Sequence, residues 1–528
     1  MSLFVVSFIQ HCRRDWMYFC VVNRRIFRKE NFFKYFAFSY GLYFIGISGL
    51  LLANIRYMDD NRRAMTGIAL YAGRDIAISR VLTQWGAYLF GLQDWNTGLI
   101  ADGSPLFQLL AIAILACGSI ILVKYVAGQL SYIGLVAALP LGLSPYFLEN
   151  LAFKFDAPAM AFSVVVGILP FLYIRRLRLF GIVSFVAVLA MLTTYQASNG
   201  VYILLFFFTI VCRLAKTKWC ETEERRTVGR GGFFLEKLLL YGALAYAGAL
   251  IFFEVFVHNY DATYEYKAGA LVHSGISELT YSFVRNMESY AKIVWSDFHG
   301  TMFTKLFGFI AALFVATFAS KGKTGKAVSM IAALVFVTAG FFVSYGLYFV
   351  LKEGFFQPRA LCGFGCFLAI LTIVTSHAGI TGKIAAGILA YSCILASHTY
   401  ANSLAAQHEY SNFRRNMMIS DLLKIIPGST EEKIELRVRS AAIKSHPVLE
   451  NSAKWLPLIK RMNFEYLHVW WNVGWQFQGV HFGYFSQEKI RQACDVGGTG
   501  KPLSVYENRL NLIRQFPENC YELYFKQE

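Results

Sequence analysis

Charge is scarce in this chain. Only 16% of its 528 residues are Asp, Glu, Lys or Arg, against about a quarter in an ordinary soluble domain. Hydrophobic residues make up 56% and aromatic residues 16%, and mean hydropathy is +0.45. That deficit excludes an ordinary soluble enzyme. A cleavable leader is also missing. The apolar opening "MSLFVVSFI" precedes Arg13 and Arg14, and no small-residue cleavage site follows it. Metal-binding spacing is lacking too. Cys117, Cys212, Cys362, Cys366 and Cys393 fall in or beside apolar runs, where thiols behave as small hydrophobes. Cys362 and Cys366 have no His or acid nearby, so no metal site is expected there.

What the chain has instead is length in apolar runs. Helices of roughly 17 to 25 apolar residues cross a bilayer. Such runs fall near 33–53, 105–124, 129–147, 157–174, 179–196, 199–213, 238–257, 304–320, 328–350, 360–376 and 384–400. The expected fold is therefore a polytopic α-helical membrane protein of about eleven spans. The net charge of +17 invites a nucleic-acid reading. Its distribution says otherwise, and no nucleic-acid partner is expected. Basic residues gather before the first span, at Arg175, Arg176 and Arg178, between Arg213 and Lys237, and at Lys321, Lys323 and Lys326. These loops share one side, which the positive-inside bias makes cytoplasmic. The N-terminus is then inside and the C-terminus outside.

Three regions follow. Residues 1–32 mix Phe, Val, Trp and Tyr with Arg and read as a cytoplasmic interfacial helix. Residues 33–401 form the membrane module, with long outer loops at 54–104 and 258–303. In the first loop "RDIAISRVLTQWGAYLFGL" repeats apolar residues every three or four positions, an interfacial amphipathic helix. Residues 402–528 turn polar. There a helix-like stretch, Pro427–Gly428 and the alternating "EKIELRVRS" predict a soluble α/β domain outside the membrane. Outside a Gram-negative inner membrane the compartment is oxidising, so Cys494 and Cys520 are candidates for a disulfide; two free thiols are the alternative.

Almost no charge falls mid-span. Proton-coupled transporters keep ionisable groups on the path through the membrane, and transporters often carry internal repeats. Neither is visible, which disfavours a transporter or flippase for a lipid-linked glycan. The polar residues cluster at outer span ends. "NIRYMDDNRRAMTG" holds Asp59, Asp60, Arg62 and Arg63. "ENLAFKFDAPA" holds Glu149, Lys154 and Asp156. "TTYQASNG" holds Tyr195 and Gln196, and "LKEGFFQPRAL" holds Arg359. Each has a plainer role. A basic side chain at a span end anchors by snorkelling, and Asp156 before Ala157–Pro158 suits a helix start. Two adjacent acids exceed what a cap needs. Clusters at the ends of four spans are placed to converge on one outer cavity.

"YMDDNRRAMTG", "LENLAFKFDAPAMA" and "TYQASNG", with the layout of spans and outer domain, resemble the GT-C membrane glycosyltransferases. The nearest likeness is to the Gtr-type O-antigen glucosyltransferases of serotype-converting phages and enterobacteria. The resemblance implies an enzyme of the bacterial inner membrane with its site facing the periplasm. The donor would be a polyprenyl (undecaprenyl) phosphate sugar, with glucose by analogy. The acceptor would be lipid-linked O-antigen, or a similar glycan of lipopolysaccharide, attacked with inversion. Asp59 or Asp60 would act as general base, with Asp156 orienting the acceptor or sharing that role. Arg359, Lys154, Arg62 and Arg63 would hold the donor phosphate. Glu149, Tyr195 and Gln196 would contact substrate. His258, Tyr260, Trp295 and Asp297 of the second loop would stack on or bond the acceptor sugar, or belong to an interfacial aromatic belt. Trp470, Trp471 and Trp475 fit the core of the outer domain, with glycan binding as the alternative. No cofactor and no obligatory metal is expected, since an adjacent acid pair supplies too few oxygen ligands.

Overall fold

The structure is a computed structural model that describes residues 29–67, 79–217, 219, 233–258, 275–426, 435–441, 443–463, 477, 502–517 and 520–526. The expected interfacial helix of 1–32 lies almost entirely outside the described residues, as do Tyr260, Trp470, Trp471, Trp475 and Cys494.

The chain is a helical bundle that leads into a small sheet. α1 (Lys29–Ala53) ends at a short linker into α2 (Asp59–Thr66). α3 (Val81–Phe90) follows, then α4 (Leu106–Ala127). The next crossing is broken. α5 (Tyr132–Ala138) and α6 (Pro140–Leu143) give way to a 3-10 turn at Pro145–Phe147 and then α7 (Leu148–Ala152). α8 (Ala157–Ile168) is short, α9 (Leu177–Leu192) and α10 (Asn199–Leu214) have 16 residues each, and α11 (Phe233–Phe256) has 24. α12 (Ile276–Phe298) precedes α13 (Met302–Ser320), α14 (Lys326–Val343) and α15 (Gly363–Thr375). Among the described residues eight helices are long and apolar enough to cross a membrane, or nine with the broken pair counted as one. The stretches expected to span at 157–174 and 179–196 are present as shorter apolar helices.

α16 (Gly379–Ile425) is 47 residues long, or about 70 Å at 1.5 Å per residue. A hydrocarbon core is about 30 Å thick, so half of this helix must project beyond it. The helix runs unbroken through position 401, where composition turns polar. No glycine or proline interrupts it from Ile388 to Ile426, and Pro427–Gly428 follow its end. Its far end packs Met418 and Leu422 against a four-stranded sheet. The strands are β1 (Glu435–Ala441), β2 (Ser504–Glu507), β3 (Asn511–Phe516) and β4 (Cys520–Phe525), in the order β1-β4-β3-β2. β1 runs parallel to β4 and the other pairs are antiparallel. Cys520 is disulfide-bonded. α17 (Pro447–Trp455) and α18 (Leu458–Met462) return from β1 to the bundle.

Two outer helices turn large apolar side chains outward. In α3, Gln84 is buried and bonds Gln93 at 2.6 Å. Its Trp85, Leu89 and Phe90 are more than half exposed. In α12, Asn286 is buried against the carbonyls of Phe349 and Leu351, while Ile276, Tyr281, Val284 and Trp295 face out. In α3 an apolar outer face over a buried glutamine suits lipid contact; α12 is mixed, with the exposed Glu288–Lys292 pair outside and Tyr290, Val294 and Phe298 inside.

Candidate active site

The four polar clusters meet at one end of the bundle. α1 stops at Ala53, and the chain turns through Asn54 and Met58, both at positive φ. That turn sets α2 across the segment joining α7 to α8. Asp60, fully buried, accepts hydrogen bonds from the backbone amides of Lys154 (2.7 Å) and Phe155 (3.5 Å). One turn on, Arg63 pairs with Asp156 at 2.7 Å and lies over the Phe155 ring. Lys154 Nζ donates to the Asn54 carbonyl at 3.2 Å. The first two clusters are thus one polar unit, with Asp60 and Arg63, one turn apart on α2, facing the segment between α7 and α8.

The other two clusters join through Arg359. Its guanidinium pairs with Glu149 at 2.6 Å, and its backbone amide bonds the same carboxylate at 2.9 Å. Its carbonyl accepts from Tyr195 at 3.1 Å and Asn150 at 3.3 Å. Its charge lies over the rings of Phe153 and Phe355. Glycine makes this convergence possible. A methyl at Gly200 or at Gly363 would stand 2.0 Å from the Ser344 carbonyl oxygen. Only glycine lets the starts of α10 and α15 close on one backbone, which brings "TYQASNG" against "QPRAL".

Electrostatics single out Asp60. Burial pushes its carboxyl up to about 7. Arg63 and the two backbone amides pull it down, and Asp156 adds to the rise. Burial dominates because a charged carboxylate loses more hydration than these partners return. Lys154 is lowered, chiefly by burial. Asp59 is half-buried, with no hydrogen-bond partner among the described residues. An acid pair adjacent in sequence is therefore divided, with one carboxyl locked inside and one facing out.

Not every expected residue enters this cluster. Trp295 is 59% exposed and packs on His299, so its contacts belong to the outer face of α12. His258 pairs with Glu254 at 2.6 Å. Gln196 contributes its carbonyl to Asn199. Asp297 is buried, where Tyr146 (2.8 Å) and Arg461 hold it. Burial raises its carboxyl against the pull of Arg461.

Sequence reasoning missed four participants. Tyr57 donates to the Met462 carbonyl at 2.8 Å and lies 3.3 Å from Glu149. Met462 and Arg461 come from α18, about 400 positions along the chain. Arg461 also bonds the Phe356 carbonyl. Arg80 lies over the Tyr195 ring at 5.5 Å. Tyr57 stood beside the acid pair in "RYMDD" and was legible. The α18 residues carried no local signal, since only the fold brings them near.

Among the described residues no group of three or more His, Cys, Asp or Glu is arranged to hold a metal ion. The cluster offers carboxylates, guanidinium groups and phenols, a set suited to a sugar hydroxyl and an anionic leaving group. An uncharacterised 55.3 kDa protein from the gtrB 5′ region of Salmonella phage P22 is 26% identical over 194 residues, covering 35% of this chain and 37% of the relative. The matched part is thus well under two thirds of that relative's length. No solved structure matches. The family model described as Glucosyl transferase GtrII matches residues 49–370, a range holding α2, the Asp156 segment, Tyr195 and Arg359, and on that match the chain belongs to the GtrII glucosyl transferase family.

Proposed function

We propose that this chain is an inverting glucosyltransferase of the bacterial inner membrane. It takes glucose from a polyprenyl phosphate carrier and passes it to a lipid-linked glycan of the O-antigen kind. With the two shorter apolar helices counted as crossings, the chain passes eleven times, N-terminus inside. The polar cluster and the sheet domain then lie on the periplasmic side.

The observation that carries this reading is the position of Asp60. It sits beside two cationic neighbours, Arg63 and Lys154, with its carboxyl raised to about 7. A general base works best with a pKa near the operating pH. The acceptor hydroxyl oxygen attacks the anomeric carbon and its proton passes to Asp60. The bond from that carbon to the phosphate oxygen breaks, and its electron pair leaves on the phosphate. Cations placed before the reaction stabilise that growing charge without reorganising. Asp156, paired to Arg63, orients the acceptor side. Glu149 and Tyr195 hold Arg359 in place. The chemistry needs no metal. Asp59 is the second candidate for the base, because it is half-exposed and unbonded among the described residues.

The test replaces each acid singly, Asp60→Asn and Asp59→Asn, at matched expression, and measures transfer from polyprenyl phosphate glucose to lipid-linked glycan. Loss with Asp60→Asn and retention with Asp59→Asn supports the assignment. The reverse pattern moves the base to Asp59. Full activity in both removes the acid pair from catalysis.

A further inference from the structure

The cations of the cluster differ in one respect. Arg359 is matched by Glu149, Arg63 by Asp156 and Arg56 by Asp102. Lys154 is occupied by Asn54. Arg80 has no carboxylate, hydroxyl or carbonyl acceptor among the described residues. It is half-exposed, and its guanidinium rests over the Tyr195 ring at 5.5 Å. Tyr195 and Tyr348 each feel the charges of both Arg80 and Arg359. Two guanidinium groups therefore converge on one pair of tyrosines, and only the Arg359 charge is cancelled by a carboxylate.

The place of Arg80 matters as much as its charge. It immediately precedes α3, whose start is fixed to the end of α9 by Leu82 N to Thr193 O (3.1 Å) and Thr83 Oγ1 to Thr194 O (3.3 Å). Beyond it, α3 turns Trp85, Leu89 and Phe90 outward. The residue thus stands between a lipid-facing apolar helix and the cluster containing Asp60. A ligand fitting both sides has an anionic head at the membrane boundary and a long apolar tail.

We infer that Arg80 is a binding residue for the phosphate of a lipid-linked substrate, and that in this chain the phosphate is that of the polyprenyl donor. The inference rests on the function proposed above and names the donor side of that same site. The donor phosphate is a diester with one negative charge, which one uncancelled guanidinium balances. When the sugar leaves, the phosphate gains a second charge. Arg80 then holds the product anion more strongly than the substrate, as a stabiliser of the leaving group must. Arg359, already matched by Glu149, instead shapes the wall on which Tyr195 stands.

The test uses the full chain in lipid nanodiscs. Two quantities are read: the donor KM in transfer from polyprenyl phosphate glucose, and direct binding of polyprenyl monophosphate. Arg80→Ala should weaken monophosphate binding and raise the donor KM by about ten-fold or more, the size expected for one charge-assisted hydrogen bond. The acceptor KM should stay unchanged. Arg80→Lys should recover part of the loss and serves as the folded counterpart if Arg80→Ala fails to fold. A second arm compares nanodiscs of phosphatidylcholine with discs containing phosphatidylglycerol. If Arg80 serves bulk anionic lipid instead, Arg80→Ala abolishes the lipid dependence and leaves monophosphate binding intact, which overturns the inference. Unchanged donor KM and monophosphate binding in a folded variant also overturn it. A wild-type chain that transfers nothing from the polyprenyl donor defeats the proposed function, and monophosphate binding still decides on Arg80.

Discussion

Two buried aspartates, one in the membrane module and one beside the sheet, have opposite fates. Asp60 sits in the polar cluster of the membrane module, and Asp421 sits on the far end of α16, well past the apolar stretch 384–400. Both are buried. Asp60 receives two backbone amides, one of them long at 3.5 Å. Asp421 receives Asn508 (2.6 Å), Asn511 (2.8 Å), Lys424 (2.9 Å) and Tyr506 (3.1 Å). Burial raises both carboxyls. Asp421 lies less deep than Asp60, so its four side-chain donors together outweigh the smaller effect of burial and the net shift is downward. At Asp60 burial wins and the carboxyl rises to about 7. A carboxylate that only holds structure is fully satisfied, and one left under-satisfied in a polar cluster is available for proton transfer.

The signs of their pH dependence follow. Asp421, depressed in the folded chain, contributes stability above its unfolded pKa of about 3.9. That contribution is lost as pH falls through the lower folded value. Asp60, raised in the folded chain, binds its proton more readily folded than unfolded between about 3.9 and 7. Its contribution to stability therefore grows as pH falls through that window, while the base form needed for transfer disappears. Acidification should stabilise through Asp60 and inactivate through the same group.

The comparison breaks most directly by mutation. Asp60→Asn should lower kcat about 10²–10⁴-fold, the usual share of a general base, as measured by sugar transfer. Asp421→Asn should leave kcat within about two-fold, the change expected of a group remote from the chemistry. Next in size is the ion pair behind the site. Arg359→Ala leaves the nearly inaccessible Glu149 (2% exposed) without its partner. Thermal unfolding should show a loss of up to about 3–5 kcal/mol, alongside reduced transfer. Smaller again is Asp421→Ala, which strands the amides of Asn508 and Asn511. It should cost about 1–3 kcal/mol in unfolding of the sheet domain without a change in donor KM. Smallest is metal removal. On the proposal that cationic side chains serve the phosphate, EDTA should leave transfer within about two-fold; abolition by EDTA with rescue by Mg²⁺ would assign the charge stabilisation to a metal.

Much of the membrane module was legible because its signal is local. Long apolar runs announce their own spans, and charges at run ends mark one surface. Asp59, Asp60, Glu149, Lys154, Asp156 and Arg359 could be singled out because so few charges interrupt the chain. Their pairing was not legible. That Arg63 meets Asp156 and Arg359 meets Glu149 depends on the linker turn at Asn54 and Met58 and on the glycine contacts at Ser344. The division of the acid pair was hidden for the same reason, since burial is set by the facing loop. The continuity of α16 could have been read from the lack of a breaker before Pro427, but the change in composition at 401–402 suggested a boundary there. Arg461 and Met462 reach the site only through the return of α18, which no periodicity encodes.

The central claim, that a buried Asp60 is the base, is tested most directly by the pH dependence of kcat/KM for transfer from polyprenyl phosphate glucose. The account predicts an acid limb with a midpoint near 7, with activity rising with pH, and no such limb in the residual activity of Asp60→Asn. A wild-type profile flat through 7, or an unchanged limb in Asp60→Asn, would contradict it.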